Sequence, residues 1–65
     1  MQTIGIIGGG AWGTALAQNF ANAGKNVVIW AREEEVVTSI NNAHENTLFL
    51  PNIKLHDNIS ATGSL

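Results

Sequence analysis

Apolar residues come in short runs, and polar segments of helical period lie between them. Thr3 to Ile7 is nearly continuous and β-branched, which predicts a strand buried on both faces, as in the middle of a parallel sheet. From Trp12 to Ala23 the period lengthens to that of a helix. Leu16 and Phe20 form one row and Gly13, Ala17 and Ala21 a second beside it, leaving Gln18, Asn19 and Asn22 for water. Gly24 is placed to end that helix in the left-handed conformation. Asn26 to Trp30 reads as a second strand. Glu33 to Asn42 reads as a second helix, with Val36, Val37 and Ile40 inward. Glu33, Glu34 and Glu35 stand in its first turn, where the helix dipole favours acids.

Beyond Ala43 the periodicity fails. Asn46, Pro51 and Asn52 mark turns, yet Leu48, Phe49, Leu50, Ile53 and Leu55 are too apolar for a free linker. The expectation is an ordered loop folded against the domain or its ligand, with 48–50 packing into the core except at Phe49. Ile59 to Thr62 predicts a short third strand. Thr62-Gly63-Ser64 then looks like the approach to another helix, capped by Thr62 or Ser64. Strands alternating with helices define an α/β class. Right-handed crossovers make the strands parallel.

Composition narrows the function classes. The chain has 65 residues, one domain at most, and a whole α/β nucleotide domain needs far more at about 30 residues per βαβ unit. Net charge is −2 with three basic residues, so nucleic acid is not an expected partner. There is no cysteine, and His44 and His56 share no helical register, so no metal site is expected. No apolar run approaches the ~20 residues of a membrane span. Met1 leads almost directly into a strand, leaving no room for a secretory signal, and a cytoplasmic location is expected.

The chemistry-bearing stretch joins the first strand to the first helix. Gly8-Gly9-Gly10-Ala11-Trp12-Gly13 reads G-x-G-x-x-G. A strand, a glycine turn and a helix in this order form a site for the pyrophosphate of a dinucleotide, because a helix N-terminus offers unpaired N–H groups and partial positive charge. Gly8 would allow the tight turn. Gly10 would let the backbone approach the phosphates, and Gly13 would let the helix pack close to the strand. A glycine-rich turn in an ordinary α/β protein could carry the same letters; placement between strand and helix favours the nucleotide. The fold expected is the N-terminal part of a Rossmann-type, doubly wound parallel sheet.

In such folds the end of the second strand chooses the cofactor. An acid about 20 residues past the last glycine binds the ribose hydroxyls of NAD, and an arginine accepts the 2′-phosphate of NADP. Here Trp30-Ala31-Arg32-Glu33 supplies both. Arg32 presents a planar fork for phosphate, and Glu33 could bond ribose hydroxyls. The balance leans to NADP, or to both cofactors. Arg32 paired with Glu34 or Glu35 on the surface is the alternative.

Ile4-Gly5-Ile6-Ile7-Gly8-Gly9-Gly10-Ala11-Trp12-Gly13-Thr14-Ala15-Leu16-Ala17 resembles the opening of bacterial NAD(P)-dependent glycerol-3-phosphate dehydrogenases. Trp30-Ala31-Arg32 and His44-Glu45-Asn46-Thr47-Leu48-Phe49-Leu50-Pro51-Asn52-Ile53-Lys54-Leu55 extend the match, as does Ile59-Ser60-Ala61-Thr62. The resemblance implies the first fifth of an enzyme that reduces dihydroxyacetone phosphate to sn-glycerol 3-phosphate with NAD(P)H for phospholipid synthesis, with a homodimer of the full enzyme expected. It implies cofactor contacts at Ala11, Trp12, Arg32, Glu33 and Phe49, where the family usually has tyrosine. It places the catalytic lysines, the substrate-phosphate site, the rest of the dinucleotide domain and a helical substrate domain beyond residue 65. No residue of this segment is then a catalytic acid, base or nucleophile. Two other readings share the architecture: a dehydrogenase of the 6-phosphogluconate or β-hydroxyacid type, and a non-catalytic NAD(P)-sensing module. The first shares the arginine and lacks the Phe49-Leu50-Pro51 segment. The second typically ends its second strand with an acid.

Overall fold

A computed structural model describes residues 2–64. Its elements run β1 (Thr3–Ile7), α1 (Ala11–Asn22), β2 (Asn26–Trp30), α2 (Glu34–Ala43) and β3 (Ile59–Thr62). All three strands are parallel, in the order β1-β2-β3, with Thr3 beside Asn26 and Val27 beside Ile59. The α/β class and all three strands match the sequence expectation. Each helix differs from it by one residue: α1 starts and stops one earlier, α2 one later, with Glu33 as its N-cap.

Two right-handed crossovers in the same direction put both helices on one face of the sheet. The core follows from that. Val27, Ile29, Ile59 and Ala61 point from the strands into Ala17 and Ala21 of α1, Val36 and Ile40 of α2, and Leu55 of the loop. Small residues on α1 let it sit close to β2. Gly24, at φ 88°, ends α1 as expected, its N–H donating to Ala21 O (3.0 Å) while Lys25 N–H donates to Phe20 O (3.1 Å).

The opposite face is open, and this corrects the expectation that β1 is buried on both sides. Thr3, Gly5 and Ile7 are exposed, Ile7 at 74%. The β-branched run reflects a strand with two apolar faces, and only one is covered within these residues. The two sheet edges also differ. The side chain of Asn41 seals the outer edge of β3: Nδ2 donates to Ala61 O and Oδ1 accepts the Ala61 N–H, both at 2.8 Å. A side-chain amide there occupies the groups another strand would seek.

Two more expectations are overturned. Leu16 is 48% exposed, and Thr14 takes a fully buried place on α1 instead. Leu48, expected in the core, is 50% exposed. The loop spends its inward positions on Asn46 and Leu55, leaving Leu50 half-buried and Leu48, Phe49 and Ile53 exposed. Gln18, expected to face water, ties down this loop: Nε2 donates to Lys54 O (3.1 Å) and Oε1 accepts the His56 N–H (2.9 Å). Thr62 Oγ1 accepts the Ser64 N–H (3.1 Å), the bond a capping threonine makes.

Candidate dinucleotide-binding site

Four glycines sit at the carboxyl end of β1 for four different reasons. Gly8 has φ 116°, a conformation that side chains rarely adopt. Its N–H donates to Trp30 O (2.8 Å), closing the β1–β2 ladder. Gly9 is buried; a Cβ there would lie 2.8 Å from Ala31 Cβ and 3.1 Å from Val36 Cγ1. Gly13 faces the turn, and a Cβ on it would collide with the Gly8 carbonyl oxygen. Gly10 is different. It is the α1 N-cap at φ −73°, ψ 179°, open to any residue, and among the described residues nothing beyond its two chain neighbours lies within 4 Å of a Cβ built on it. Nothing among the described residues requires glycine there.

The two helix starts near this turn contrast in charge. The N-cap of α1 makes no side-chain capping bond, and its first turn holds no acid. The N–H groups of Ala11, Trp12 and Gly13 have no intrahelical partner. The first turn of α2 holds Glu34 and Glu35. One helix carries acids at its start, matched to its dipole, and the other carries none.

A cleft of about 260 Å³ opens beside the turn, lined by Gly8, Gly9, Gly10, Trp30, Arg32, Glu33 and Phe49. The structure thus gathers five of the residues singled out in the sequence, Gly8, Gly10, Arg32, Glu33 and Phe49, although they come from three separate segments. Arg32 is exposed and Phe49 is 39% exposed. Ala11 and Trp12 stand next door, on a groove shared with Ala15 and Leu50, and Trp12 is 92% exposed. Gly13 lies behind the turn, against Ile6. Trp30 and Gly9 line the cleft without having been singled out for it. For Gly9 the signal was present, as the middle glycine of three.

The larger omission is Asn46, which the sequence marks only as a turn. It is fully buried. Its Nδ2 donates to Gly9 O (2.7 Å) and Thr14 Oγ1 (2.8 Å), and its Oδ1 accepts the Phe49 N–H (3.1 Å). Thr14 Oγ1 in turn donates to Gly10 O (2.9 Å). One side chain therefore joins the glycine turn to the loop carrying Phe49. The loop is further held by Leu55 N–H on His44 O (2.6 Å) and by the Ser39 hydroxyl on Glu45 O.

A parallel β-α-β-α-β unit with an uncapped helix behind a glycine turn defines the N-terminal part of a Rossmann-type nucleotide-binding domain. Residues 3–65 match the family model described as NAD-dependent glycerol-3-phosphate dehydrogenase N-terminus, and the chain belongs to that family. It is 63% identical over 64 residues to a glycerol-3-phosphate dehydrogenase (NAD(P)+) of Parvibaculum lavamentivorans, covering 98% of this chain and 19% of that protein. A crystal structure of glycerol-3-phosphate dehydrogenase from Coxiella burnetii superposes with a TM-score of 0.89 at 34% identity, over 98% of this chain and 20% of that one. The Plasmodium falciparum glycerol-3-phosphate dehydrogenase gives 0.83 at 36%, with the same coverage. The chain thus spans about a fifth of the length of the relatives it matches. These matches do not favour the 6-phosphogluconate type or the sensing module. Among the described residues no helix is long and apolar enough to cross a membrane.

Proposed function

We propose that this segment grips the adenosine–pyrophosphate end of NAD or NADP in an oxidoreductase that interconverts dihydroxyacetone phosphate and sn-glycerol 3-phosphate, feeding glycerophospholipid synthesis. The carrying observation is Gly10: a glycine without an internal reason, at an uncapped helix N-terminus, on the wall of a cleft. A pyrophosphate against its α-carbon supplies the missing reason. The cofactor, when bound, supplies the hydride chemistry. The N–H groups at the start of α1 hold its phosphates, Phe49 packs on the adenine side, and Arg32 and Glu33 face the adenosine ribose. Trp12 covers the cofactor from the neighbouring groove. The catalytic lysines, substrate-phosphate site and helical substrate domain lie outside residues 1–65. The cell compartment is the cytoplasm, and the working enzyme is a homodimer.

NADPH is the favoured cofactor, because the exposed Arg32 fork has room for a 2′-phosphate. The test uses a graft: this chain in place of the matching segment of the Parvibaculum enzyme. Arg32→Ala should weaken NADPH by roughly 10- to 100-fold, the worth of a charge-assisted bond, and NADH far less. Glu33→Gln should tighten NADPH and weaken NADH. Dissociation constants are compared at one ionic strength, since salt screens such pairs. Equal losses on Arg32→Ala would assign that residue to adenine stacking. A graft that binds neither cofactor would refute the proposed function.

A further inference from the structure

We infer that Asn46 is a positioning residue for this cofactor site, setting the phosphate-binding turn and the adenine wall together; the inference rests on the cofactor reading above. The reason lies in peptide geometry. Across a planar trans peptide, a carbonyl and the following N–H point in opposite directions. Asn46 Nδ2 holds the Gly9 carbonyl on the buried side (2.7 Å), so the Gly10 N–H faces the other way. The Gly10 carbonyl accepts the Thr14 N–H as the first backbone bond of α1 (3.0 Å), which turns the Ala11 N–H outward, and the Thr14 hydroxyl, itself held by Asn46, adds a second bond to the same oxygen (2.9 Å). Both amides are thereby presented where the helix N-terminus meets the cleft.

The other end of the side chain fixes the opposite wall. Asn46 Oδ1 takes the Phe49 N–H (3.1 Å), and the Asn46 carbonyl takes the Leu50 N–H (2.8 Å). The loop is thus wound around Asn46, and Phe49 is delivered to the cleft edge. Both amide hydrogens and the amide oxygen are used, and the residue is fully buried. A network this completely satisfied has one arrangement, and partial loss leaves buried polar atoms without partners. A hydrophobic side chain could fill the space but could not hold the Gly9 carbonyl or the Thr14 hydroxyl.

Two probes separate positioning from mere support of the fold. ADP-ribose carries the pyrophosphate, and adenosine does not. In the graft, Asn46→Asp keeps the size and the acceptor for Phe49 N–H but sets an oxygen against the Gly9 carbonyl. It should weaken ADP-ribose by about 10- to 100-fold and adenosine by less than about 3-fold. Thr14→Val, which keeps the volume and removes only the hydroxyl, should show the same selectivity at roughly 5-fold, and it decides the matter if Asn46→Asp does not fold. Equal losses for both probes, or unchanged ADP-ribose affinity in a variant with native circular dichroism, would overturn the inference. Failure of the unsubstituted graft to bind ADP-ribose would instead overturn the cofactor reading.

Discussion

The cleft has two walls built on opposite principles. The glycine turn is shaped by side chains it lacks: hydrogen at Gly9 and Gly13 lets backbone, strand and helix close on one another. The loop over 44–58 is shaped by side chains that are present, one of its own and two reaching in from the helices. Asn46, Ser39 and Gln18 hold a backbone with almost no ladder of its own. A wall made by omission tolerates no addition. A wall made of individual bonds fails one bond at a time. The two should therefore respond differently to substitution, and that difference is measurable in the graft.

The largest effect is expected at the turn. Gly13→Ala drives a methyl into the Gly8 carbonyl oxygen, which is backbone and cannot rotate away. Its cost should be about 3 kcal/mol or more, read as a fall in the denaturant midpoint. Gly9→Ala meets Ala31 Cβ, which is fixed to its backbone, and Val36 Cγ1, which can yield a little, and about 2 kcal/mol is expected. If either variant melts like the parent, the turn is looser than its contacts imply.

Next comes the latch. Asn46→Ala strips donors from the Gly9 carbonyl and Thr14 and the acceptor from the Phe49 N–H, all in a buried place. About 2 kcal/mol is expected. Gln18→Ala loses two bonds near solvent, so water replaces them, and the cost should be about 1 kcal/mol or less. Its signature is local. The His56 amide should exchange with solvent faster while amides of β2 keep their protection. Faster exchange throughout would mean that the loop is part of the core and not a strap across it.

The same contrast explains what could be read from the chain. Strands, helices and the turn rest on signals within a few residues: β-branched runs, the Leu16/Phe20 and Ala17/Ala21 spacings, glycine at Gly8 and Gly24. These gave the fold class and, of the seven cleft residues, Gly8 and Gly10; Arg32 and Glu33 followed from their place at the end of the second strand, and Phe49 from the family resemblance. The errors fall where a residue's role depends on a distant partner. Asn46 reaches Gly9 across 37 positions, and Gln18 reaches His56 across 38. Asparagine in a turn-rich stretch looks like any turn asparagine until its partner is known. Leu16 was misread for the related reason that a polar neighbour, Thr14, had a buried bond to make. Periodicity scores apolar residues and has no means of anticipating a satisfied polar one.

The smallest effect on stability is expected at Gly10, and it separates ligand from fold most cleanly. Alanine is a poorer N-cap than glycine, which costs a few tenths of a kcal/mol to about 1. Alanine also restricts the unfolded chain, which returns about 0.4–1 kcal/mol where the native dihedrals allow it, and φ −73° does. Among the described residues nothing beyond the chain neighbours lies within 4 Å of the added methyl, so no packing term enters. Gly10→Ala should therefore leave the midpoint within about 0.5 kcal/mol of the parent. Its affinity for ADP-ribose should nevertheless fall by at least about tenfold, because the methyl occupies the approach of the pyrophosphate. Gly13→Ala should lose both properties together. A Gly10→Ala graft that is stable and still binds ADP-ribose at full strength would place the phosphates elsewhere and remove the observation on which the cofactor reading rests.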